Sequence, residues 1–444
     1  MADVATIFAL STAPGRAGIA VVRVSGPRAG DLIDALAPPR PKKRTAALRR
    51  IRDPQSGETI DQGLVLWFAA PRTETGEDMA EFHLHGGLAI VKALLALLGR
   101  QPGCRLAEPG EFARRAFANG KLDLAQAEGL ADLIDAETEA QRRQAMRQMG
   151  GALSRLYEGW RAELMRANAL IEAVIDFSDE SDVASDAFET ARRMVGTLCA
   201  SIAAHLEDGY RGEILREGFR VVLAGPPNVG KSSLLNALAR RDAAIVSEEA
   251  GTTRDVIEVR LDLEGLPVIV SDTAGIREAE GAIEKEGIRR TLAHAREADL
   301  VVWLTDATAP DASPPPDLGT NVLPVTNKVD LVNDARGKLG VSAKTGAGID
   351  ALTRRLAELA RERVGVTEAP VITHARYRAH LQECKAACQR FMAACQPGMA
   401  DLQRDVELRA EDLRLASQAL GRITGRVDVE DILGEIFGRF CIGK

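Results

Sequence analysis

A glycine-rich turn in the middle of the chain constrains the fold more than any other feature. Residues 225–232 read GPPNVGKS, follow the strand-like segment RVVLAG and open the helix-like segment KSSLLNALAR. Glycines in such a strand–turn–helix let backbone N–H groups surround phosphates, while Lys231 can reach the terminal phosphates and Ser232 can bind Mg²⁺. The turn therefore predicts a nucleotide-binding domain built on a parallel α/β sheet.

Three shorter motifs follow the turn in the order that a GTP-hydrolysing domain requires. AGTTRD places Thr253 where a hydroxyl can complete the Mg²⁺ shell, and DTAG (272–275) ends a strand with an aspartate that can hold a metal-bound water. NKVD (327–330) ends a later strand with a carboxylate that can accept two hydrogen bonds from guanine, which adenine cannot offer. SAK (342–344) then closes over the base. The ordered set predicts GTP rather than ATP.

Two departures from Ras-like GTPases concern the far edge of this domain and its catalysis. Asp330 and Ser342 lie so close in sequence that only a short loop and a strand fit between them. Ile276 stands where Ras-like GTPases carry a glutamine that positions water. Another group must then neutralise charge between the β- and γ-phosphates, and the side-chain oxygen of Asn228 suits a monovalent cation there. Plain loop filler is the alternative interpretation of Asn228.

The sequence on either side of this domain predicts the remaining architecture. Residues 1–120 hold short strand-like runs broken by Pro and Gly and one apolar helix candidate at 88–100, which indicates a small α+β domain. Long Ala-rich helical patterns fill 121–216 and resume over 367–444, on either side of a GTPase domain at 217–366. These patterns permit one helical domain with the GTPase domain inserted into it, or two separate helical domains.

Composition excludes several classes of protein. The 444 residues carry 57 basic and 64 acidic side chains, a net charge of −7, so any RNA contact must come from a local basic patch. The best candidate is the run RPKKRTAALRRIR (40–52), which has seven basic residues and no acidic one; a solvated loop is the alternative. Neither a membrane span nor a secretory signal is evident, and six cysteines without a CxxC pair indicate a reducing cytosol.

Two groups of possible metal ligands have simpler interpretations. Cys384, Cys388 and Cys395 share one helical face, where a stripe of small packing residues is a commoner role than a three-thiolate site. His83 and His85 share one face of a predicted strand, but no third ligand lies near them in sequence.

Blocks outside the GTPase motifs extend the pattern along nearly the whole chain. They are GRAGIAVVRVSGP (15–27), TGEDMAEFHLHGG (75–87), EPGEFARRAFANGKLDLAQAEGL (108–130) and the terminal CIGK (441–444). Together with GPPNVGKS, SEEAGTTRD, DTAGIRE and NKVD, these blocks resemble the MnmE (TrmE) family of potassium-activated GTPases of tRNA modification. The central helices are the least diagnostic part.

The resemblance implies a multidomain α+β fold. Its parts are an N-terminal α/β folate-binding-like domain that dimerises, an α-helical central domain, and a Ras-like α/β P-loop GTPase domain inserted into the helical one. Members of the family hydrolyse GTP and, with an FAD-dependent partner of the MnmG type, add an aminomethyl-type (carboxymethylaminomethyl) group to the wobble uridine of tRNA. The carbon comes from a tetrahydrofolate derivative in a formyl or methylene form. We therefore expect a cytoplasmic homodimer that needs K⁺ and Mg²⁺ and meets FAD only through its partner.

Carried over by position, the resemblance implies a folate site in the N-terminal region. Its contacts fall on Arg23, Glu81, Lys121 and Lys444. Cations suit the glutamate tail of folate, and a carboxylate can read its pterin ring, which resembles guanine. Ordinary surface charges are the alternative interpretation of these residues.

The same resemblance defines the nucleotide and ion ligands. The GTP contacts fall on Asn228, Val229, Gly230, Lys231, Ser232, Ser233, Ser247, Glu248, Glu249, Ala250, Gly251, Thr252, Thr253, Asp272, Thr273, Ala274, Gly275, Asn327, Lys328, Asp330, Ser342, Ala343 and Lys344. The magnesium ligands are Ser232 and Thr253, and the potassium ligands are Asn228, Ser247, Glu249 and Thr252. Ser247 and Glu249 depart from the threonine and apolar residue common in the family, which ligation by backbone carbonyls tolerates.

Three residues are expected to be catalytic. Glu284 aligns with the acid that orients water in the family, Asn228 acts through K⁺, and Cys441 can act near the folate carbon as a nucleophile or positioning group. An exposed helix carboxylate and an uninvolved terminal thiol are the simpler interpretations of Glu284 and Cys441.

Two other classes of GTPase are alternatives, and each would require a sequence feature of its own. A ribosome-assembly GTPase should carry an RNA-binding module, such as a KH domain with a GXXG loop, or a second GTPase domain. The GXXG runs at 15–18 and 337–340 do not join two predicted helices, and GxxxxGKS occurs once. A membrane-remodelling GTPase needs an amphipathic or basic anchor helix, and the sequence shows no clear one.

Overall fold

The computed structural model describes residues 5–176, 181–241, 243–245, 258–272, 298–309, 313–315, 321–332, 339–365, 369–393, 402–427, 430–438, 440 and 442–443. The chain divides into two compact units. The first unit comprises Met1–Ala131 and Gly421–Lys444, and the second comprises Asp132–Leu420. Each unit contains a six-stranded sheet.

The described strands and helices are numbered in chain order. The strands are β1 Thr6–Leu10, β2 Ala17–Ser25, β3 Ala47–Arg52, β4 Thr59–Phe68, β5 Met79–Gly86, β6 Cys104–Leu106, β7 Phe219–Ala224, β8 Glu258–Leu263, β9 Leu266–Asp272, β10 Leu300–Asp306, β11 Val322–Asn327 and β12 Leu339–Gly340. The helices are α1 Ala29–Leu36, α2 Leu88–Gly99, α3 Glu111–Ala118, α4 Leu124–Ile134, α5 Glu139–Met149, α6 Ala152–Asp176, α7 Ser181–Leu206, α8 Arg211–Glu217, α9 Lys231–Ala239, α10 Ile349–Val364, α11 Ala375–Ala393, α12 Leu402–Thr424 and α13 Glu430–Gly438.

The sheet of the first unit has the order β3-β4-β5-β2-β1-β6. Its neighbouring strands are antiparallel, except that β1 and β6 run parallel. Side chains alternate across each strand, so Val22, Val24 and Phe82 point into one core, where helices α1 and α2 supply Leu32 and Leu94. The opposite face is free to carry polar groups.

The C-terminal segment of the chain packs into this first unit. Phe437 of α13 joins a small core with Ala113 and Leu124. The tail beyond α13 also contacts this unit. Ile442 forms a β-bridge with Pro109, and the Gly443 carbonyl accepts a hydrogen bond from the Ser11 hydroxyl.

The sheet of the second unit has the order β12-β11-β10-β7-β9-β8 and is parallel apart from β8. Its central strands are continuous apolar runs with fully buried side chains such as Val221 and Val302, as expected for a parallel sheet covered on both faces. The carboxyl ends of β7, β9, β10 and β11 meet at one edge, which is where a parallel sheet binds its ligand.

Long helices form the rest of the second unit. Tyr157 and Trp160 of α6 pack against His205 of α7, and Tyr157 also contacts Tyr377 of α11. Helix α5 is joined to helix α8 by the Gln141 amide, which donates to the backbone carbonyl of Arg216 at 2.9 Å, three residues before β7. The predicted fold class is confirmed: an N-terminal α/β part, helices and a P-loop α/β sheet. In the part of the chain that the structure describes, no helix has the length and apolarity needed to cross a membrane.

Candidate active site

The predicted phosphate loop lies between β7 and α9. Gly230 has a φ of 95°, and a Cβ there would lie 2.4 Å from the Asn327 side-chain nitrogen, so glycine is required on both counts. The Lys231 ammonium donates to the backbone carbonyls of Gly225 and Pro226 at 3.0 and 3.1 Å. Lys231 therefore points into the loop that is to surround phosphates.

A hydroxyl and a carboxylate meet beside this loop. The Ser232 hydroxyl donates to Asp272 Oδ2 at 2.5 Å, and the residue Asp272 is only 3% exposed at the end of β9. Both side chains offer oxygen ligands of the kind that Mg²⁺ prefers. They fit a magnesium site next to the phosphates, although the third predicted participant, Thr253, lies outside the described residues.

The NKVD motif connects the phosphate loop to the SAK loop. The buried Asn327 amide donates to the Val229 carbonyl at 2.8 Å, and its oxygen accepts from the Ala343 backbone N–H at 3.2 Å. Ser342 donates from its hydroxyl to Asp330 Oδ1 at 2.6 Å, which orients the carboxylate predicted to bind guanine. Hydrogen bonds within the protein thus connect three separate sequence motifs, the phosphate loop, NKVD and SAK.

Lys328 makes a further link, to a residue that the sequence analysis missed. Its ammonium donates to the Asn228 carbonyl at 2.9 Å and to Asp306 Oδ2 at 2.6 Å. The Lys328 hydrogen bond lowers the pKa of Asp306 to about 2, with help from the backbone and hydroxyl of Thr308. Asp306 was detectable in principle, because it ends the strand LVVWLTD, between the DTAG and NKVD motifs.

Asn228 lies at the exposed tip of the loop with a φ of 60°. This left-handed conformation is unusual for a residue with a side chain, although asparagine tolerates it better than most. The Lys328 contact to its carbonyl fixes the peptide that follows. The arrangement leaves the Asn228 side chain in solvent, where its oxygen is accessible to a cation.

The structure brings together one part of the predicted GTP site. The residues that it places at the carboxyl edge of the sheet are Asn228, Val229, Gly230, Lys231, Ser232, Ser233, Asp272, Asn327, Lys328, Asp330, Ser342, Ala343 and Lys344. The predictions that lie outside the described residues are Ser247, Glu248, Glu249, Ala250, Gly251, Thr252, Thr253, Thr273, Ala274, Gly275, Glu284, Cys441 and Lys444.

The first unit brings together two of the residues predicted to bind folate. Arg23 of β2 and Glu81 of β5 are direct cross-strand partners, and their side chains form an ion pair at 3.2 Å. Arg23 also pairs with Glu74 at 2.8 Å, and its guanidinium lies 5.9 Å from the centre of the Phe112 ring. Both side chains are about four-fifths buried, each 18% exposed, so this is a partly enclosed charged site.

Lys121 belongs to the same neighbourhood without contacting Arg23 directly. Its backbone N–H donates to the Ala116 carbonyl at the end of α3, and its side chain is exposed. Its Cε is 3.0 Å from the position that a Cβ on Gly76 would occupy, two residues from Glu74. Lys444 itself is not described, but Gly443 is held at the end of β1 by the Ser11 hydrogen bond.

The histidines and cysteines that were weighed as metal ligands lie in ordinary structural surroundings. His83 Nε2 lies 3.2 Å from Glu81, and His85 Nδ1 lies 2.9 Å from Asp61. Cys384 and Cys388 are buried in α11, and Cys395 is not described. Within the described ranges, no group of three or more His, Cys, Asp or Glu residues is arranged to hold a metal ion.

Comparison with known proteins identifies the family. A family model described as MnmE helical domain matches residues 124–441, and one described as GTP-binding protein TrmE N-terminus matches residues 6–121. The chain is 56% identical to the tRNA modification GTPase MnmE of Parvibaculum lavamentivorans, over 99% of this chain and 100% of that protein. This chain belongs to the MnmE family. It is also 52% identical to the tRNA modification GTPase MnmE of Beijerinckia indica subsp. indica, over 100% of this chain and 97% of the relative.

Membership of the MnmE family confirms the predicted family and the predicted enzyme class, a GTP hydrolase of tRNA modification. The two matched segments together span residues 6–121 and 124–441. The individual site residues stay predictions.

Proposed function

We propose that this chain is a potassium-activated GTPase that acts with an FAD-dependent partner of the MnmG type on the wobble uridine of tRNA. The group added is of the aminomethyl type, carboxymethylaminomethyl in full, with its carbon from a tetrahydrofolate derivative. The observation that carries the proposal is the similarity to tRNA modification GTPases over 99% of the chain, which includes residues 6–121.

For GTP hydrolysis, the proposed roles follow from the contacts of the phosphate loop. Lys231 binds the terminal phosphates, and Ser232 with Asp272 holds Mg²⁺, directly and through water. When bound, Mg²⁺ and K⁺ supply positive charge at the β- and γ-phosphate oxygens. Asn228 is the proposed K⁺ ligand among the described residues. Its backbone is held by the hydrogen bond that the Lys328 ammonium donates to its carbonyl.

The guanine base is proposed to lie between the NKVD and SAK motifs. Asp330 accepts two hydrogen bonds from guanine, and Ser342 holds the carboxylate in place at 2.6 Å. Asn327 connects this base site to the phosphate loop at Val229. Glu284 is proposed to orient the attacking water, because Ile276 cannot.

The folate derivative is proposed to bind at Arg23, Glu81, Lys121 and Lys444, with Cys441 near its one-carbon unit. Arg23 and Glu81 already neutralise each other, so the ligand has to replace at least one side of this ion pair. Either a carboxylate of the glutamate tail takes the place of Glu81 at Arg23, or the pterin ring takes the place of Arg23 and donates hydrogen bonds to Glu81.

The proposed organisation places a folate-binding and dimerisation domain at 1–120, the two parts of a helical domain at 121–216 and 367–444, and an inserted GTPase domain at 217–366. We propose that the chain works as a cytoplasmic homodimer, and that FAD enters only through the partner protein.

Deletion of the gene followed by mass spectrometry of digested tRNA tests the proposal. We expect the modified wobble nucleoside to disappear and to return with the intact chain but not with Asp272→Ala. The matched control is Asp299→Ala, which removes a carboxylate from the opposite end of the same sheet. An unchanged nucleoside profile in the deletion strain would contradict the proposed modification.

Potassium activation has its own test. We expect GTP turnover to be at least about tenfold faster in KCl than in NaCl of equal ionic strength, and this ratio to fall towards one in Asn228→Ala. Lys344→Ala, an exposed residue of the SAK loop, should keep the ratio even if GTP binding weakens. Equal rates of the intact chain in both salts would remove K⁺ from the proposal.

A further inference from the structure

The edge strand of the first unit carries cations that have no role in the proposed chemistry. Strand β3 lies at the end of the sheet, beside β4. Its Ile51 faces the core with 0% exposure, whereas Arg50 and Arg52 on either side are exposed. Alternate residues of a strand share a face and lie roughly 7 Å apart, so these two arginines point the same way.

Two lysines precede the strand in a turn that is fixed to the neighbouring strand. The Thr45 N–H donates to the Lys42 carbonyl at 3.1 Å, and the Arg44 N–H donates to the Trp67 carbonyl of β4 at 2.8 Å. The Arg44 side chain lies over the Phe68 ring at 5.7 Å. The turn is therefore held against the sheet, and it presents Lys42 and Lys43 to solvent.

The acids around this strand do not neutralise these four cations. Three of the nearby carboxylates are paired with a cation outside the group: Asp34 with Arg40 at 2.5 Å, Asp53 with Arg100 at 3.0 Å and Asp61 with His85 at 2.9 Å. A fourth, Glu58, is exposed across the turn from Asp53. Among the described residues, no carboxylate lies within ion-pair distance of Lys42, Lys43, Arg50 or Arg52. These four positive charges thus form no ion pair among the described residues, on a chain whose net charge is −7.

We propose that these four residues, the β3 patch, bind the phosphate backbone of tRNA. The turn and the far end of β3 are about 20–25 Å apart at the rise of an extended strand, a span that covers several phosphates. Phosphate contacts need long cationic side chains rather than a shaped pocket, and the edge strand with the turn before it carries such side chains. The proposal rests on tRNA being the substrate of this chain.

A second role is available to charges at a sheet edge, which is to prevent pairing with the edge of another sheet. That role needs charge along the strand itself and gives no reason for Lys42 and Lys43, which lie in the turn before it. An acidic protein surface is the other occupant that four cations would attract. The experiment separates both from RNA.

The test measures the binding of unmodified tRNA to the full chain by fluorescence anisotropy at several salt concentrations. The patch variant is Lys42→Gln, Lys43→Gln, Arg50→Gln, Arg52→Gln. The matched control is Arg142→Gln, Arg143→Gln, Arg355→Gln, Arg414→Gln, whose side chains are 42–68% exposed. Both variants change the net charge from −7 to −11, since each loses four positive charges.

We expect the patch variant to bind tRNA at least about tenfold more weakly than the intact chain. The slope of log K against log salt should decrease by roughly 3, because each phosphate contact contributes about 0.7–0.9. The control should stay within about twofold of the intact chain. Arg50→Lys with Arg52→Lys should retain binding, because phosphate is recognised by charge. GTP turnover of every variant should equal that of the intact chain, which checks folding.

Several results would overturn the proposal. Equal weakening in the patch variant and the control would assign the effect to net charge. Unchanged tRNA affinity with new self-association on gel filtration would assign the patch to edge protection. Unchanged affinity with loss of the wobble nucleoside in cells would assign it to a protein partner. Failure of the intact chain to bind tRNA would remove the premise, and only this last result also counts against the proposed function.

Discussion

The two predicted ligand sites of this chain are built in different ways. In the GTPase sheet, side chains of one motif bind backbone groups of another, as Asn327 does with Val229. In the first unit, the predicted folate residues Arg23 and Glu81 bind each other as an ion pair across two antiparallel strands. The first site is held in shape by contacts that a ligand leaves intact, whereas a ligand at the second must displace an existing partner.

This difference sets how each site should respond to substitution. Backbone contacts in the nucleotide site keep its geometry, so loss of one ligand-binding side chain should affect function strongly and stability little. In the charged site, removal of one partner leaves the other without compensation, so binding and stability should change together.

The largest effect is expected at Ser232 and Asp272, the two residues of the nucleotide site that are proposed to hold Mg²⁺. Asp272→Asn should lower kcat/KM for GTP by roughly 1000-fold, because the carboxylate that positions the Mg²⁺ shell is lost. Asp299→Asn makes the same change at the opposite end of the sheet, where the carboxylate accepts from the Arg220 N–H at 2.9 Å. Steady-state GTP hydrolysis measures both. Similar losses in the two variants would show that the effect comes from sheet stability.

The next largest effect concerns base selection. Asp330→Asn should weaken GTP binding by roughly 100-fold, because the amide can replace only part of the acceptor pair that guanine needs. The same variant should bind xanthosine triphosphate better than the intact chain does, since the amide N–H can donate to the additional carbonyl of xanthine. Nucleotide titration with both bases gives the ratio. A variant that keeps its preference for GTP would contradict the assigned role of Asp330.

A smaller effect is expected at the charged site of the first unit. Arg23→Ala should weaken the binding of a formyltetrahydrofolate by about tenfold, measured by calorimetry, because one charge-assisted contact is lost. Arg100→Ala is the control: its side chain is 58% exposed and pairs only with Asp53 among the ion pairs of the described residues. GTP turnover without folate should stay unchanged in both. Equal folate affinities would move the folate site away from Arg23.

The smallest effect is a pH-dependent change in stability next to this site. Glu111 is 2% exposed and lies between Arg105 at 2.6 Å and Arg115 at 3.1 Å. Burial by itself raises the pKa of its carboxyl. Hydrogen bonds from Arg105, from the Glu108 backbone and from Arg115 lower the pKa by more than that, to about 2. Glu111→Gln should therefore cost about 1–2 kcal/mol at pH 7.

The sign of the pH dependence follows from this lowered pKa. The ionised carboxylate stabilises the folded state above its usual pKa of 4.5, and this contribution is lost as the pH falls towards about 2. The melting temperature of the variant should lie several degrees below that of the intact chain at pH 7, and the gap should narrow below about pH 4.5 and close as the pH approaches 2. Glu108→Gln, with a side chain 61% exposed, is the control. A gap that is independent of pH would exclude the ionised Glu111 as its cause.

Much of the nucleotide site was predictable from sequence because each motif is local. The phosphate loop was confirmed as a strand–turn–helix, with β7 ending at Ala224 and α9 beginning at Lys231. The fold class was also predictable, since apolar runs such as LVVWLTD indicate buried parallel strands. The ion pair between Lys328 and Asp306 was not predictable, because it depends on the register that pairs Asp306 with Asn327 across β10 and β11.

The N-terminal site shows the same limit more strongly. Arg23 and Glu81 were named from a family resemblance, and sequence offered no sign that the two form a pair, since 58 positions separate them. Their meeting depends on β2 lying next to β5 in an order that skips β3 and β4.

The sequence by itself determined local conformations, such as the turn at Gly230 and the helix predicted at 88–100, which is found as Leu88–Gly99. Only the tertiary structure decided which distant residues meet, such as Asn327 with Val229, or Gly443 with Ser11 across 432 positions. The physical reason is that backbone propensity and hydrophobic period depend on near neighbours. Sheet order and strand register depend instead on packing of the whole core, which sets long-range hydrogen bonds and ion pairs.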